Sequence, residues 1–205
     1  MQVMVDIETL GSGRNARIIQ IGAVGFDFNE RVLEAHELLQ MEDRCFNMRV
    51  ANYAGSREED SNHAFWADPA QAEALAAIQR MEEVGLPIVL TKLSKFLTEW
   101  LGKRGKLWAK PPQFDLRVIA DAYLLAGMER PWHYSHEHDL RTMLYMAKQV
   151  PLTGFRAPAI SGAKLIDHFA LHDAVQQAVI AQAAFRSLSH FAARRAPDGR
   201  GKLVS

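Results

Sequence analysis

Apolar and polar positions along the chain predict strands first, then helices with intervening strands. VMVDI (residues 3–7) and IIQIGAVGF (residues 18–26) are apolar runs, and residues 31–39 alternate loosely; Gly11, Gly13 and Asn29 punctuate them. A β-meander at the N-terminus is the expectation. From Cys45 to Glu83 the pattern weakens, and the polar stretch GSREEDSN (residues 55–62) reads as a loop. Residues 68–81 carry good helix formers behind an Asp-Pro start, where Asp68 can cap and Pro69 fits the first turn. Leu90, Leu93, Phe96, Leu97, Trp100 and Leu101 form the stripe of a second helix. LWAKPPQFD (residues 107–115) predicts a short strand and a turn, and Val118, Ile119, Ala122, Tyr123 and Ala126 predict a third helix ending at Gly127. Asp139 would cap a fourth helix, LRTMLYMAKQ, stopped before Pro151; Ala174, Ala178, Ala181, Phe185 and Leu188 define the last.

This order of elements points to an α/β or α+β sheet domain. Residues 1–195 are expected to form one domain and residues 196–205 a mobile tail. With 205 residues the chain can bury roughly 70% of its unfolded surface, so a core needs no covalent staples. Lys plus Arg (24) equals Asp plus Glu (24), which argues against a whole-surface polyanion binder and leaves room for a local basic groove. The lone Cys45 makes no internal disulfide, the opening MQVMVDIETL lacks a basic start and an unbroken apolar stretch, and no run is long enough to span a membrane; a cytoplasmic protein without a membrane partner is the expectation.

The most informative residues are Asp6 and Glu8. Two apart on a strand, they emerge on one side while Val5 and Ile7 face the other. Like charges so close raise each other's pKa unless a cation lies between them, and hard carboxylate oxygens suit Mg²⁺ or Mn²⁺. A lone D-x-E is more often an edge strand showing two acids to solvent. Asp115 and Asp139 each have a simple explanation as helix caps. In IDHFALHDAVQQA, His168 precedes Asp173 by five residues, so Asp173 at the start of the last helix can face the first strand while His168 reaches in from the loop before it. His172 lies about 100° round that helix and reads as a half-exposed surface histidine.

Together these residues resemble the DEDD 3'-5' exonucleases, whose fold is RNase H-like: an α/β mixed sheet flanked by helices. Asp6 and Glu8 match the first motif, Phe114-Asp115 the second, and His168 with Asp173 the H-x4-D of the histidine subtype; the tyrosine subtype would want Tyr where Phe169 stands. MVDIETLGSG, IIQIGAV, FWADPAQAEAL, PWHY, HDLRT and HDAVQQA extend the resemblance to a small prophage-type exoribonuclease branch. One departure is the segment Ala109, Lys110, Pro111, Pro112, where that family commonly has Asn and Gly.

The resemblance implies two divalent ions, Mg²⁺ or Mn²⁺, held by Asp6, Glu8, Asp115 and Asp173. Asp6 would bridge, Glu8 and Asp173 would complete one sphere, and Asp115 would hold the other. His168 would be the general base, since an imidazole ordinarily titrates near about 6.5. The substrate would be a nucleic acid 3' end, single-stranded or overhanging, RNA favoured over DNA. Thr9, Leu10, Gly11 and Arg14 would approach the terminal phosphate through backbone NH groups and one cation. Phe65, Trp66, Trp132 and Tyr134 would stack bases, and Arg141 would contact phosphate or pair with Glu137. A homodimer is expected, with residues 45–83 as a contact surface. An RNase H-like endonuclease and a catalytically silent nucleic-acid-binding protein stay open as alternatives.

Overall fold

In the computed structural model, which describes residues 1–149, 155–158 and 164–195, the first two apolar runs form the middle of a sheet. β1 (Gln2–Thr9) and β2 (Ile18–Phe26) pair antiparallel; β3 (Cys45–Val50) continues antiparallel beside β2, and β4 (Glu83–Val84) runs parallel at that edge. On the other side of β1 lie β5 (Lys106–Ala109) and then β6 (Glu137–Asp139), each parallel to its inner neighbour. The order is β4-β3-β2-β1-β5-β6, a mixed six-stranded sheet. β1 is therefore central, not the solvent-facing edge strand that a lone D-x-E suggests.

Helices cover both faces. In chain order they are α1 (Ala35–Gln40), α2 (Asp60–Ala67), α3 (Ala72–Gln79), α4 (Leu86–Leu101), α5 (Asp115–Leu125), α6 (Leu140–Gln149) and α7 (Ala170–Arg195). Val3, Val5 and Ile7 pack with the apolar stripes of α4 and α5. Met4 packs on the opposite face with α1, α3, α6 and α7. Strand alternation puts Asp6 and Glu8 on Met4's side, so the acids meet α7.

The expected strand over residues 31–39 does not form. Glu34 and Glu37 cap each other's backbone, with the Glu34 N–H donating to Glu37 Oε2 at 2.8 Å, and this box starts α1. Leu33, Ala35 and Leu38 are buried beneath it. The third strand of the meander is instead Cys45–Val50, and the loop expected over residues 55–62 gives way to α2 at Asp60. Asp68 does cap, its carboxylate accepting from the Ala70 N–H at 2.8 Å, with Pro69 in the following turn. Asp139 likewise accepts from Arg141 N–H and Thr142 Oγ1. The stop at Pro151 and the tail over residues 196–205 lie outside the described residues.

Two residues of β2 decide how closely α7 approaches. Gly22 stands opposite Asp6, and Gln20 stands opposite Glu8. A β-carbon at position 22 would overlap the backbone of Ala170 and Leu171, so only glycine lets the first turn of α7 rest on the strand. Gln20 is fully buried; its Oε1 accepts from the Ala170 N–H at 3.0 Å, satisfying one open amide of that turn, while its Nε2 donates to Asn47 Oδ1 at 2.8 Å. Gly22→Ala is expected to destabilise the fold by about 1–3 kcal/mol through overpacking. Urea unfolding checks this, and a wild-type midpoint would contradict it.

Candidate active site

The carboxyl end of β1, the start of α5 and the first turn of α7 converge. Asp115 is the first residue of α5 and is almost completely buried, at 3% exposure. Asp173 lies in the first turn of α7, half-buried. Glu8 is buried, and one ligating atom from each of Glu8, His168 and Asp173 lies within 4.8 Å of the others. Asp6 completes the group, for its carboxyl feels the charges of Asp115, Glu8 and Asp173 together.

Electrostatics follow from that crowding. Burial first, then repulsion from Asp115, Glu8 and Asp173, hold the Asp6 carboxyl well above the usual carboxylate range; a hydrogen bond from Gln177 acts in the opposite direction. Glu8 is raised by burial, then by Asp173 and Asp115. Burial pushes Asp115 up to about 7, against backbone N–H groups of Asp115, Ile7 and Lys110 and the charge of Arg141. Asp173 is raised by burial, with His168 and Lys110 opposing. The group is thus short of positive charge. Asp115 Oδ2 and Gln177 Oε1 are both buried and meet no hydrogen-bond partner among the described residues. Acidic oxygens, an unpartnered carboxylate atom and mutual repulsion fit divalent cations with hard-oxygen preference.

His168 approaches from the loop before α7 in the left-handed region, at φ 60°. Its own N–H donates to Asp173 Oδ2 at 3.1 Å, and the Phe65 ring meets its imidazole edge to face at 4.9 Å between centroids. That conformation is uncommon for a side-chain-bearing residue and is held here from two sides. The imidazole is exposed, so water can reach it. His172 is half-buried, and its Nδ1 accepts from the Ile166 N–H at 2.9 Å, which fastens the loop; it is a support, not a surface group.

The expected substrate-binding residues divide. The turn after β1 does not offer a free row of amides: the Leu10 N–H donates to Arg17 O, Gly13 N–H to Glu59 Oε1, and Asn15 N–H to Asp121 Oδ2. Thr9 is buried and spends its hydroxyl on Gly11 O, while Gly11 lies too close to Arg57 O for a β-carbon. Arg14 is exposed, 3.8 Å from Asp121. Trp66 is buried, its indole N–H donating to Thr9 O at 2.9 Å, so it pegs the end of β1 rather than offering a face to a base. Trp132 is also buried, donating to Glu137 at 2.8 Å and packing against Tyr123. Phe65 is half-buried beside His168, and Tyr134 is exposed. Glu137 is taken by Trp132 and Arg130, and the charge of Arg141 acts on Asp115 instead.

The pattern rules did not single out Gln177. One turn beyond Asp173 and nearly buried, it donates from Nε2 to Asp6 Oδ1 at 2.8 Å. The spacing Asp173 to Gln177, which is one helical turn, was the available signal.

Residues 1–185 match the family described as the Rv2179c-like 3'-5' exoribonuclease domain. No curated protein matches by sequence. Among solved structures, the chain is similar to the nuclease domain of 3'hExo, a DEDDh family member bound to rAMP, with TM-score 0.57 and 17% identity over 92% of both chains. Cell-death related nuclease 4 (CRN-4) aligns with TM-score 0.56 and 15% identity, over 88% of this chain and 62% of that one. A product-bound exonuclease I aligns with TM-score 0.55 and 12% identity, over 86% of this chain and 42% of that one. These likenesses show the RNase H-like fold of the DEDDh nucleases.

Acids whose folded-state pKa is raised bind protons more tightly folded than unfolded, so their contribution favours folding at low pH and declines as pH rises from the ordinary carboxylate range through about 7. In EDTA, the melting temperature is therefore expected to be lower at about pH 8 than at about pH 5. Mn²⁺ is expected to raise it more at the higher pH, and Asp6→Asn to raise it in EDTA while blunting the response to metal. Thermal scans under these conditions check all three. A profile indifferent to metal and to Asp6→Asn would contradict the site.

Proposed function

Because the chain belongs to the Rv2179c-like 3'-5' exoribonuclease family, we propose that it removes nucleotides from the 3' end of single-stranded or overhanging RNA at the cluster of Asp6, Glu8, Asp115 and Asp173. The observation that carries the reading is the meeting of these four carboxyls, contributed by distant parts of the chain, beside an exposed imidazole. Exonuclease activity follows from the family. The residue roles, the metal dependence and the RNA preference are our assignment.

Asp6, Glu8, Asp115 and Asp173 would hold the divalent cations. Such a pair of Mg²⁺ or Mn²⁺ ions supplies charge stabilisation for the attacking and leaving oxygens of an in-line displacement at phosphorus. His168 then takes a proton from the attacking water through its exposed imidazole, as Phe65 and the Asp173 carboxylate keep it at the mouth of the site. The new bond joins the water oxygen to the terminal phosphorus, and the bond to the 3' oxygen of the preceding nucleotide breaks. Gln177 fixes the orientation of the Asp6 carboxylate, and Arg141 faces the Asp115 side as a phosphate contact.

End-labelled RNA and matched DNA incubated with Mg²⁺, Mn²⁺ or EDTA test this. Mononucleotides should accumulate from the 3' end with metal and not with EDTA, RNA should be consumed faster, and a blocked 3' end should resist. Asp6→Ala should abolish activity, and His168→Ala should reduce it by about 10²- to 10⁴-fold with the fold intact. Internal cleavage would assign an endonuclease instead, and untouched RNA with Mn²⁺ a binding protein.

A further inference from the structure

The parallel strands β1, β5 and β6 end on one edge of the sheet. Ala109 closes β5 opposite Asp139, the last residue of β6, so Lys110 is the first residue beyond the sheet there. Chain direction then returns it at once to the site, because Asp115 follows only five residues on. Lys110 is exposed, and no carboxylate lies within 4 Å of its ammonium among the described residues. The contrast with nearby cations is clear: Arg14 and Arg117 are beside Asp121, Arg17 is on Glu58, and Arg130 is on Glu137. Among the described residues Arg141, in the first turn of α6, likewise has no carboxylate within 4 Å, and the two charges bear on different acids, Lys110 on Asp173 and Arg141 on Asp115.

We propose that Lys110 is a phosphate-binding residue, gripping the backbone of the substrate strand on the Asp173 side of the site as Arg141 does on the Asp115 side. The assignment rests on the nuclease reading above and names how that site takes hold of its polyanionic substrate. Charge balance gives the reason. Four ionised carboxylates and two divalent cations sum to zero, so the positive charge left to attract a phosphodiester is that of side chains around the rim. Lys110 follows the last residue of β5 and Arg141 lies in the first turn of α6 just past β6, both at the strand ends where the acids stand. A lysine stem is flexible and carries a compact charge, so an ammonium that no carboxylate holds can reach a phosphate when the strand arrives. A lysine that merely balances Asp173 would influence metal binding and leave the grip on nucleic acid unchanged.

The test is fluorescence anisotropy of a labelled single-stranded oligoribonucleotide in a His168→Ala background with Mn²⁺, which keeps the acids and slows turnover. Adding Lys110→Gln should weaken binding roughly tenfold at low salt, the effect of losing one charge-assisted contact. The slope of log affinity against log salt should fall by about 0.7, the value for one phosphate contact on a single strand. Lys110→Arg should keep both affinity and slope. An unchanged slope and affinity in Lys110→Gln, or no binding by the His168→Ala protein, would overturn the proposal. Degradation by the wild-type chain is measured separately, so failure of the nuclease reading would show as intact RNA despite a salt slope that depends on residue 110.

Discussion

Four carboxylates brought together out of water repel one another, and the rest of this molecule is arranged so that they stay together. Burial and mutual repulsion hold Asp6 and Glu8 well above the ordinary carboxylate range, and burial brings Asp115 to about 7. A fold that only needed stability would place apolar groups at these positions. The chain instead keeps the acids and offers partial relief: a hydrogen bond from Gln177 to Asp6, backbone N–H groups toward Asp115, and the charges of Lys110 and Arg141 at the rim. On the proposed reading, cations and then a phosphodiester complete that relief.

What holds the acids in place is ordinary packing. Asp6 and Glu8 stand on a central strand whose other face, Val3, Val5 and Ile7, is locked against α4 and α5. On the acid face, Gly22 and Gln20 lie directly across the ladder from them and receive the first turn of α7. The same two contacts that seat α7 therefore bring Asp173 and Gln177 to β1. Site geometry and core packing cannot be varied independently here.

Much of this was legible in the sequence where periodicity is strong. The stripe from Leu90 to Leu101 is a helix with its apolar residues inward, and the stripe from Ala174 to Leu188 lies on α7. Residues 31–39 misled because loose alternation competes with the capping box of Glu34 and Glu37, which nucleates a helix. β3 was hidden because only Phe46 and Val50 of its six residues are buried, and β4 and β6 are too short to carry a period. Within the site, the acids and His168 could be picked out by spacing, whereas Gln20 could not: a glutamine within an apolar strand shows its purpose only when α7 lies above it. Trp66 and Trp132 illustrate the converse, for aromatic residues suited to stacking are used as buried pegs with their indole N–H groups satisfied.

On the proposed reading these carboxyls form a single cation-binding group, with Asp115 partly protonated near pH 7 until a cation arrives. Calorimetric titration with Mn²⁺ in buffers of different ionisation enthalpy measures both the ions bound and the protons released. Binding of about two ions per chain at pH near 7, with net proton release that shrinks as pH is raised, is the result this account requires. No binding, or binding without proton release at pH near 7, would contradict it.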